Sequence, residues 1–212
     1  LERFWSVRPL DAVFLCGDFS NFGSYYERLV EFIAANDIPC ALVSGNHETS
    51  ELCRTLEERH GFHYLDYRQS IVAGMLVTGI GGGDMFSEER SAAIATFASE
   101  SLRELEGRFR ILLTHEPPYP WSYKDEAVGS LAIEEFTAAR GFDLIITGHY
   151  HERECRMGLW HNEIPVLNPG QAGSLIEIDY AESCLRVVDE NDKIVLLHGW
   201  VTRPGSGGGA SP

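Results

Sequence analysis

Four times along this chain a short apolar run, of the kind that forms a buried strand, passes without a spacer into a polar cluster. Asp11 to Cys16 runs into Gly17-Asp18, and Cys40 to Ser44 into Gly45-Asn46-His47-Glu48. Arg110 to Leu113 runs into Thr114-His115, and Phe142 to Thr147 into Gly148-His149-Tyr150-His151. In open α/β sheets functional groups gather beyond the carboxyl ends of strands. Four clusters placed there converge on one edge of the sheet. The glycines help, because a residue without a Cβ permits the sharp turn that aims the next side chain inward.

Helical spacing fills the intervals. Tyr25 to Ala35 places Leu29, Val30, Phe32 and Ile33 on one face, ending before Pro39. Ser50 is the expected N-cap of a helix through Arg59. Strands are expected at Ser70 to Ala73 and Met75 to Ile80, then a helix from Glu88 to Leu105. Ser130 is expected to cap a helix to Ala139. After His151 the pattern changes to strands and turns, at 164–167, 173–179, 184–189 and 193–201, with a turn at Asp189 to Lys193. Strand–helix alternation followed by a meander predicts a layered α/β sandwich with mixed sheets. Residues 1–204 read as one domain and Gly205 to Pro212 as a disordered tail.

The residue types at the four strand ends fit metal coordination. Three imidazoles, one carboxylate and one amide oxygen suit Mn²⁺, Fe²⁺ or Zn²⁺ better than magnesium or calcium. A carboxylate offers two oxygens and a compensating charge, so it is the natural bridge between two cations. Two histidines at i and i+2 can face different ions if the backbone turns between them. Gly81-Gly82-Gly83 lacks the Lys-Ser/Thr of a nucleotide-binding loop, so it reads as a close backbone approach near the site. Pro117-Pro118-Tyr119-Pro120-Trp121 reads as a stiff loop beside the cleft, its aromatics available to substrate. His60, His63, His161 and His198 read as structural, and Asn21 as a turn residue.

In this order and spacing the clusters resemble the calcineurin-like metallophosphoesterases, whose pattern is D-x-H, G-D, G-N-H-[DE], H and G-H-x-H. The match runs from Gly17-Asp18 through Gly45-Asn46-His47-Glu48 and His115 to Gly148-His149-Tyr150-His151. Thr114-His115-Glu116-Pro117-Pro118, Val128-Gly129-Ser130 and Asn168-Pro169-Gly170 resemble the branch related to cyclic-nucleotide phosphodiesterases. The resemblance implies an α/β/β/α sandwich and metal-dependent hydrolysis of a phosphomonoester or phosphodiester at a dinuclear centre. It implies that Asp18 bridges two divalent ions, that Asn46, His115 and His149 complete one position, and that His151 belongs to the other. His47, with Asn46, would contact the phosphate, and His47 would protonate the leaving oxygen, with Glu48 orienting its ring. The ions would polarise the phosphoryl group and lower the pKa of a water.

The first block of the pattern is not in the sequence: no Asp stands two residues before a His. The family's first strand carries that block and lies inside the sheet, so its loss implies unpaired backbone and a gap. Leu1 to Trp5 reads as the end of a helix leading into the Asp11 strand. Three accounts stand open: a sequence that starts late, a natural short form keeping one metal position, or replacement ligands such as Asp84. The alternative function is a non-hydrolytic member that binds metal or a phosphate ligand as an interaction module.

A net charge of −15 and no basic patch argue against long nucleic acid as a partner and for a small phosphate ester, reached through cations that reverse the local potential. No run is apolar enough to span a membrane and no signal peptide is read at Leu1, though residue 1 is not Met. Five widely spaced cysteines without a CxxC read as reduced thiols in a cytoplasmic protein. Nothing indicates an oligomeric state.

Overall fold

The computed structural model describes residues 9–82, 88–99, 109–151, 153–161, 163–189, 191 and 193–199. The first half contains β1 (Val13–Cys16), α1 (Glu27–Ala35), β2 (Cys40–Val43), α2 (Ser50–His60), β3 (His63–Tyr64), β4 (Arg68–Val72), β5 (Met75–Ile80) and α3 (Glu88–Ser99). The second contains β6 (Arg110–Thr114), β7 (Trp121–Tyr123), β8 (Glu126–Val128), α4 (Leu131–Arg140), β9 (Leu144–Ile146), β10 (Arg156–Trp160), β11 (Ile164–Asn168), β12 (Leu175–Asp179), β13 (Cys184–Val188) and β14 (Ile194–Gly199).

Alternating side chains stack these elements in four layers. In β2, Cys40 and Leu42 face α1 and α2 and meet Val30, Ile33, Cys53 and Leu56, while Ala41 and Val43 face the opposite way. In β6, Ile111 and Leu113 meet Ala41, Val43, Leu185 and Val187 in the central core, while Leu112 packs against Ile94, Phe97, Ile133 and Phe136 of α3 and α4. The result is the expected α/β/β/α sandwich with mixed sheets. One layer holds the parallel sheet β1-β2-β3 and the antiparallel sheet β12-β13-β14, and the other the six-stranded sheet β10-β11-β9-β6-β5-β4. Strands β11, β9, β6 and β5 run parallel, and β10 and β4 close the ends antiparallel.

Among the described residues β1 pairs only with β2, and β12 only with β13, which leaves one edge of each free. A groove of about 1200 Å³ is lined by both strands, with Met75, Ile111, Ile146 and Leu167 beneath and Asp18, His149 and His151 also on its wall.

Several expectations need correction. Thr49, not Ser50, caps α2: its side chain accepts from Leu52 N–H and its backbone is extended, whereas Ser50 is already helical. Such a cap is worth about 1 kcal/mol. Ser130 caps α4 as expected, accepting from Ile133 N–H. The Pro117 to Trp121 stretch is a loop as far as Pro120, as expected, tied by a bridge between Pro118 and Ser130, but Trp121 belongs to a strand. Trp121 opens the β7-β8 hairpin and is 7% exposed, its ring against Gly158, so it is withdrawn from solvent and from any substrate. Alternation does not mark β3 and β10, β3 being two residues long and β10 containing a glycine. Asp84, Leu1 to Trp5, the last residues of the helix expected to reach Leu105, and the tail from Gly205 lie outside the described residues. No helix among the described residues is long and apolar enough to cross a membrane.

Candidate metal centre

The four clusters meet at the carboxyl ends of β1, β2, β6 and β9. Close approach is what the glycines supply. A Cβ on Gly17 would collide with His115 Nδ1 and the Gly45 backbone, and one on Gly45 would collide with the Asp18 carboxylate. Asp18 and His149 both adopt left-handed backbone, with φ of 51° and 64°. For non-glycine residues this costs about 1–2 kcal/mol each, and such strain tends to sit at functional sites.

The donor atoms lie in a connected set. His115 Nε2 is 3.1 Å from Asn46 Oδ1, 3.2 Å from His149 Nδ1 and 3.5 Å from Asp18 Oδ2. His151 Nε2 is 3.0 Å from the same Asp18 oxygen. The protons here are few. His115 Nδ1 lies 2.8 Å from Cys16 O, which can only accept, so Nδ1 carries the hydrogen. Burial lowers the pKa of His115, and burial followed by the neighbouring His115 lowers that of His149 to about 4. Both imidazoles are therefore neutral, and the lone pair on His115 Nε2 faces the Asp18 carboxylate, the Asn46 amide oxygen and His149 Nδ1. Burial alone would raise Asp18, but the His115 imidazole, the His151 hydrogen bond and the His47 N–H bring it below the ordinary carboxylate value.

Three imidazoles, a carboxylate and an amide oxygen drawn together in this way fit a cation. Among the described residues no three His, Cys, Asp or Glu side chains already surround a vacant point. They touch in pairs instead, and one donor is the amide of Asn46. Two ligands each about 2.0–2.2 Å from a shared ion stand about 3.0–3.5 Å apart in octahedral or tetrahedral geometry, the same interval as these contacts. The backbone carbonyl on His115 Nδ1 is also the usual outer partner of a metal-bound imidazole.

Glu48 does not orient His47. Its Oε2 accepts from Asp18 N–H (2.7 Å) and Gly45 N–H (3.0 Å), and its Oε1 from Ser20 N–H (2.9 Å) and the Ser20 hydroxyl (2.7 Å). This buried carboxylate ties the Asp18 loop to the Asn46 loop. The His47 ring is set by Ser20 O, 3.3 Å from Nδ1, and by Phe22, whose ring centroid lies 4.2 Å away. His47 N–H donates to Asp18 Oδ1 at 3.1 Å.

Sequence reasoning missed two further supports. Asn168 donates to Tyr150 O (2.9 Å) and Gly148 O (3.4 Å), fixing the His149–His151 loop from β11. Arg90 donates to Gly81 O and pairs at 2.5 Å with the fully buried Glu116, next to His115. Neither residue lies in the strand-end clusters that point to the donors. Gly81 does mark a close approach: a Cβ there would strike Asp66, and Gly82 N–H bonds Ser44 O at 2.7 Å. His63 pairs with Ser70 and His161 with Glu134, away from the donor set, and Asn21 closes a turn with Ser24.

A model of the Calcineurin-like phosphoesterase family matches residues 1–153. Of the solved structures, TT1561 of Thermus thermophilus is 16% identical, with a TM-score of 0.55, covering 89% of this chain and 86% of that one. Another crystal structure is 17% identical, with a TM-score of 0.54, covering 82% of this chain and 71% of that one. At these identities the likeness concerns the fold. No protein with a curated function matches. The family match covers well over half of the sequence and includes all four clusters that the fold brings together: the chain belongs to the calcineurin-like phosphoesterase family.

Proposed function

We propose that the protein hydrolyses a phosphomonoester or phosphodiester with divalent metal ions held by Asp18, Asn46, His115, His149 and His151. The family in general carries out metal-dependent phosphoester hydrolysis. One observation carries the reading here: five potential ligands, far apart in sequence, each stand 3.0–3.5 Å from another of the set, the interval at which ligands of a shared cation stand. Asp18, Asn46, His115 and His149 make one metal position. Asp18 and His151 contribute to a second. Mn²⁺, Fe²⁺ and Zn²⁺ are the ions such ligands suit.

When bound, the ions polarise the phosphoryl group and lower the pKa of the attacking water. The chain's own residues do the rest. Asn46 and His47 contact the phosphate. His47 Nδ1–H donates to Ser20 O, which leaves Nε2 for the departing oxygen: the doubly protonated ring gives up its Nε2 proton there and ends as the neutral Nδ1–H tautomer. Fixing that ring between Ser20 and Phe22 spares the ordering entropy a free imidazole would lose at the transition state. The net charge of −15 favours a small ester over a nucleic-acid chain. The five free thiols suit a reducing, cytoplasmic setting.

A second reading, a non-hydrolytic member binding metal or a phosphate ligand, is favoured by the second position, where His151 is the one imidazole paired with Asp18 on that side among the described residues. Turnover of a bis-nitrophenyl phosphate with added Mn²⁺ separates the two. The hydrolytic reading expects Mn²⁺-dependent release of nitrophenol that His47→Ala lowers at least about a hundredfold. Mn²⁺ or inorganic phosphate binding without turnover leaves the second reading, and binding of neither removes both.

A further inference from the structure

We infer that Phe22 is the platform on which the organic group of the ester lies, and that this group is a flat ring joined closely to the phosphate. The inference rests on the phosphoesterase reading and deepens it.

Phe22 is 72% exposed, a costly setting for a phenyl ring, and it lies beside the His47 imidazole. It is not a loose loop residue. Its backbone is left-handed, with φ of 50°, unfavourable for an aromatic side chain. Asn21 and Ser24 exchange backbone hydrogen bonds around it at 2.8 and 3.2 Å, and Gly23 N–H bonds the Ser20 hydroxyl at 3.1 Å. Ser20 is in turn held by Glu48, the carboxylate that also fixes Asp18 and Gly45. The turn presenting Phe22 is thus anchored to the loops that carry the metal donors.

Direction follows from His47. The departing oxygen must stand beside that imidazole to receive its proton, and the Phe22 ring packs on the imidazole at 4.2 Å with the planes 31° apart. Whatever is bonded to that oxygen extends next to Phe22. A ring there gains an offset or edge contact, and an alkyl stub gains little, a difference of roughly tenfold in binding.

The test uses the full chain with Mn²⁺ and two non-hydrolysable probes, phenylphosphonate and methylphosphonate, with affinities read by calorimetry. The wild type is expected to bind phenylphosphonate roughly tenfold tighter. Phe22→Ala should abolish that preference, bringing the two phosphonates to equal affinity in the variant whatever the change common to both, with Phe22→Leu in between. Tyr25→Ala removes another exposed ring of the same loop and should leave the preference intact. In turnover, Phe22→Ala should lower kcat for aryl and alkyl esters alike, because the His47 ring is loosened, and should raise KM for the aryl ester alone; a ring that only positions His47 would leave the ratio of the two KM values as in the wild type. A phenyl preference that survives Phe22→Ala, or is absent from the wild type, overturns the platform. Failure of either phosphonate to bind overturns the phosphoesterase reading itself, and this one with it.

Discussion

Among the described residues, His115 follows a strand that is hydrogen-bonded on both edges, whereas Asp18 follows one that is bonded on a single edge. Strand β6 lies between β5 and β9, and its residues from Ile111 to Thr114 are buried. Strand β1 has β2 on one side and the groove on the other, and only Val13 of its four residues is buried. Yet the two donors stand 3.5 Å apart. The centre therefore joins a rigid half, His115 and His149 on the six-stranded sheet, to a half on a strand edge. Edge strands open at lower free energy than strands buried inside a sheet. What keeps Asp18 in register is Glu48, which supplies through four hydrogen bonds the restraint that β1 lacks on its free side.

The largest expected effect sets two ligands of the six-stranded side against each other, one fully buried and one half-exposed. His115→Ala removes a fully buried imidazole that contacts three other donors, and Mn²⁺ affinity measured by calorimetry should fall about a thousandfold, beyond the 10–100-fold typical of an outer-shell partner. His151 is half-exposed and touches Asp18 alone among the donors. His151→Ala should cost about tenfold in the same measurement. Equal losses would mean that burial and the number of contacting donors do not decide how firmly a ligand of the rigid half holds the ion.

Packing offers the next comparison. Leu113 is fully buried in the central core, and Leu113→Ala should destabilise the fold by about 3 kcal/mol in urea titration. Leu15, on β1, is only partly buried against α1 and α2, and Leu15→Ala should cost about 1 kcal/mol. If the two variants unfold at the same denaturant concentration, β1 is as well supported as β6 and the contrast fails.

Glu48→Gln addresses the clamp directly. The isosteric amide keeps one acceptor oxygen and turns an NH₂ group toward N–H donors, so some of the four bonds are lost and polar groups are left buried. A stability loss of about 2–3 kcal/mol follows, together with weaker Mn²⁺ binding, because Asp18 and Gly45 are both released. A variant as stable as the parent that binds Mn²⁺ equally well would show that the edge strand holds itself.

The two halves also differ in how much of them is written in local sequence. The layers are legible because buried strands here are short apolar runs with helical spacing between them, and the donors because each follows its strand at once. The supports are not legible in the same way. Glu48 sits beside His47 in sequence, which suggests a pair, but its carboxylate turns the other way because three backbone N–H groups and a hydroxyl converge on it from residues 18 to 45. Asn168 and Arg90 act across 18 to 26 residues of sequence on loops with which they share no pattern. Trp121 reads as a surface aromatic after a run of prolines, and the hairpin it opens folds it onto Gly158 instead. Propensity and periodicity describe what a segment forms; they carry no information about which distant backbone groups need a partner.

The smallest expected effect concerns Asp66, which braces the β2 end from the six-stranded side. Its carboxylate accepts from Ser44 N–H at 3.0 Å, from the Ser44 hydroxyl, and from Tyr64 OH at 2.8 Å. Burial still outweighs these bonds, and its pKa lies above the ordinary value of 3.8. In the pH interval just above that ordinary value the folded state keeps a proton that the unfolded chain has released. Stability linked to this group is therefore complete below that interval and declines as pH rises through the folded-state pKa. Asp66→Asn removes the titration while leaving an oxygen to accept from Ser44 and Tyr64. Urea unfolding from about pH 4 upward should show a shallower decline for the variant than for the parent, with the two curves separating as pH rises. Parallel curves would mean that the charge on Asp66 is fully compensated by its three donors, and that the brace on the six-stranded side costs the fold nothing in ionised form.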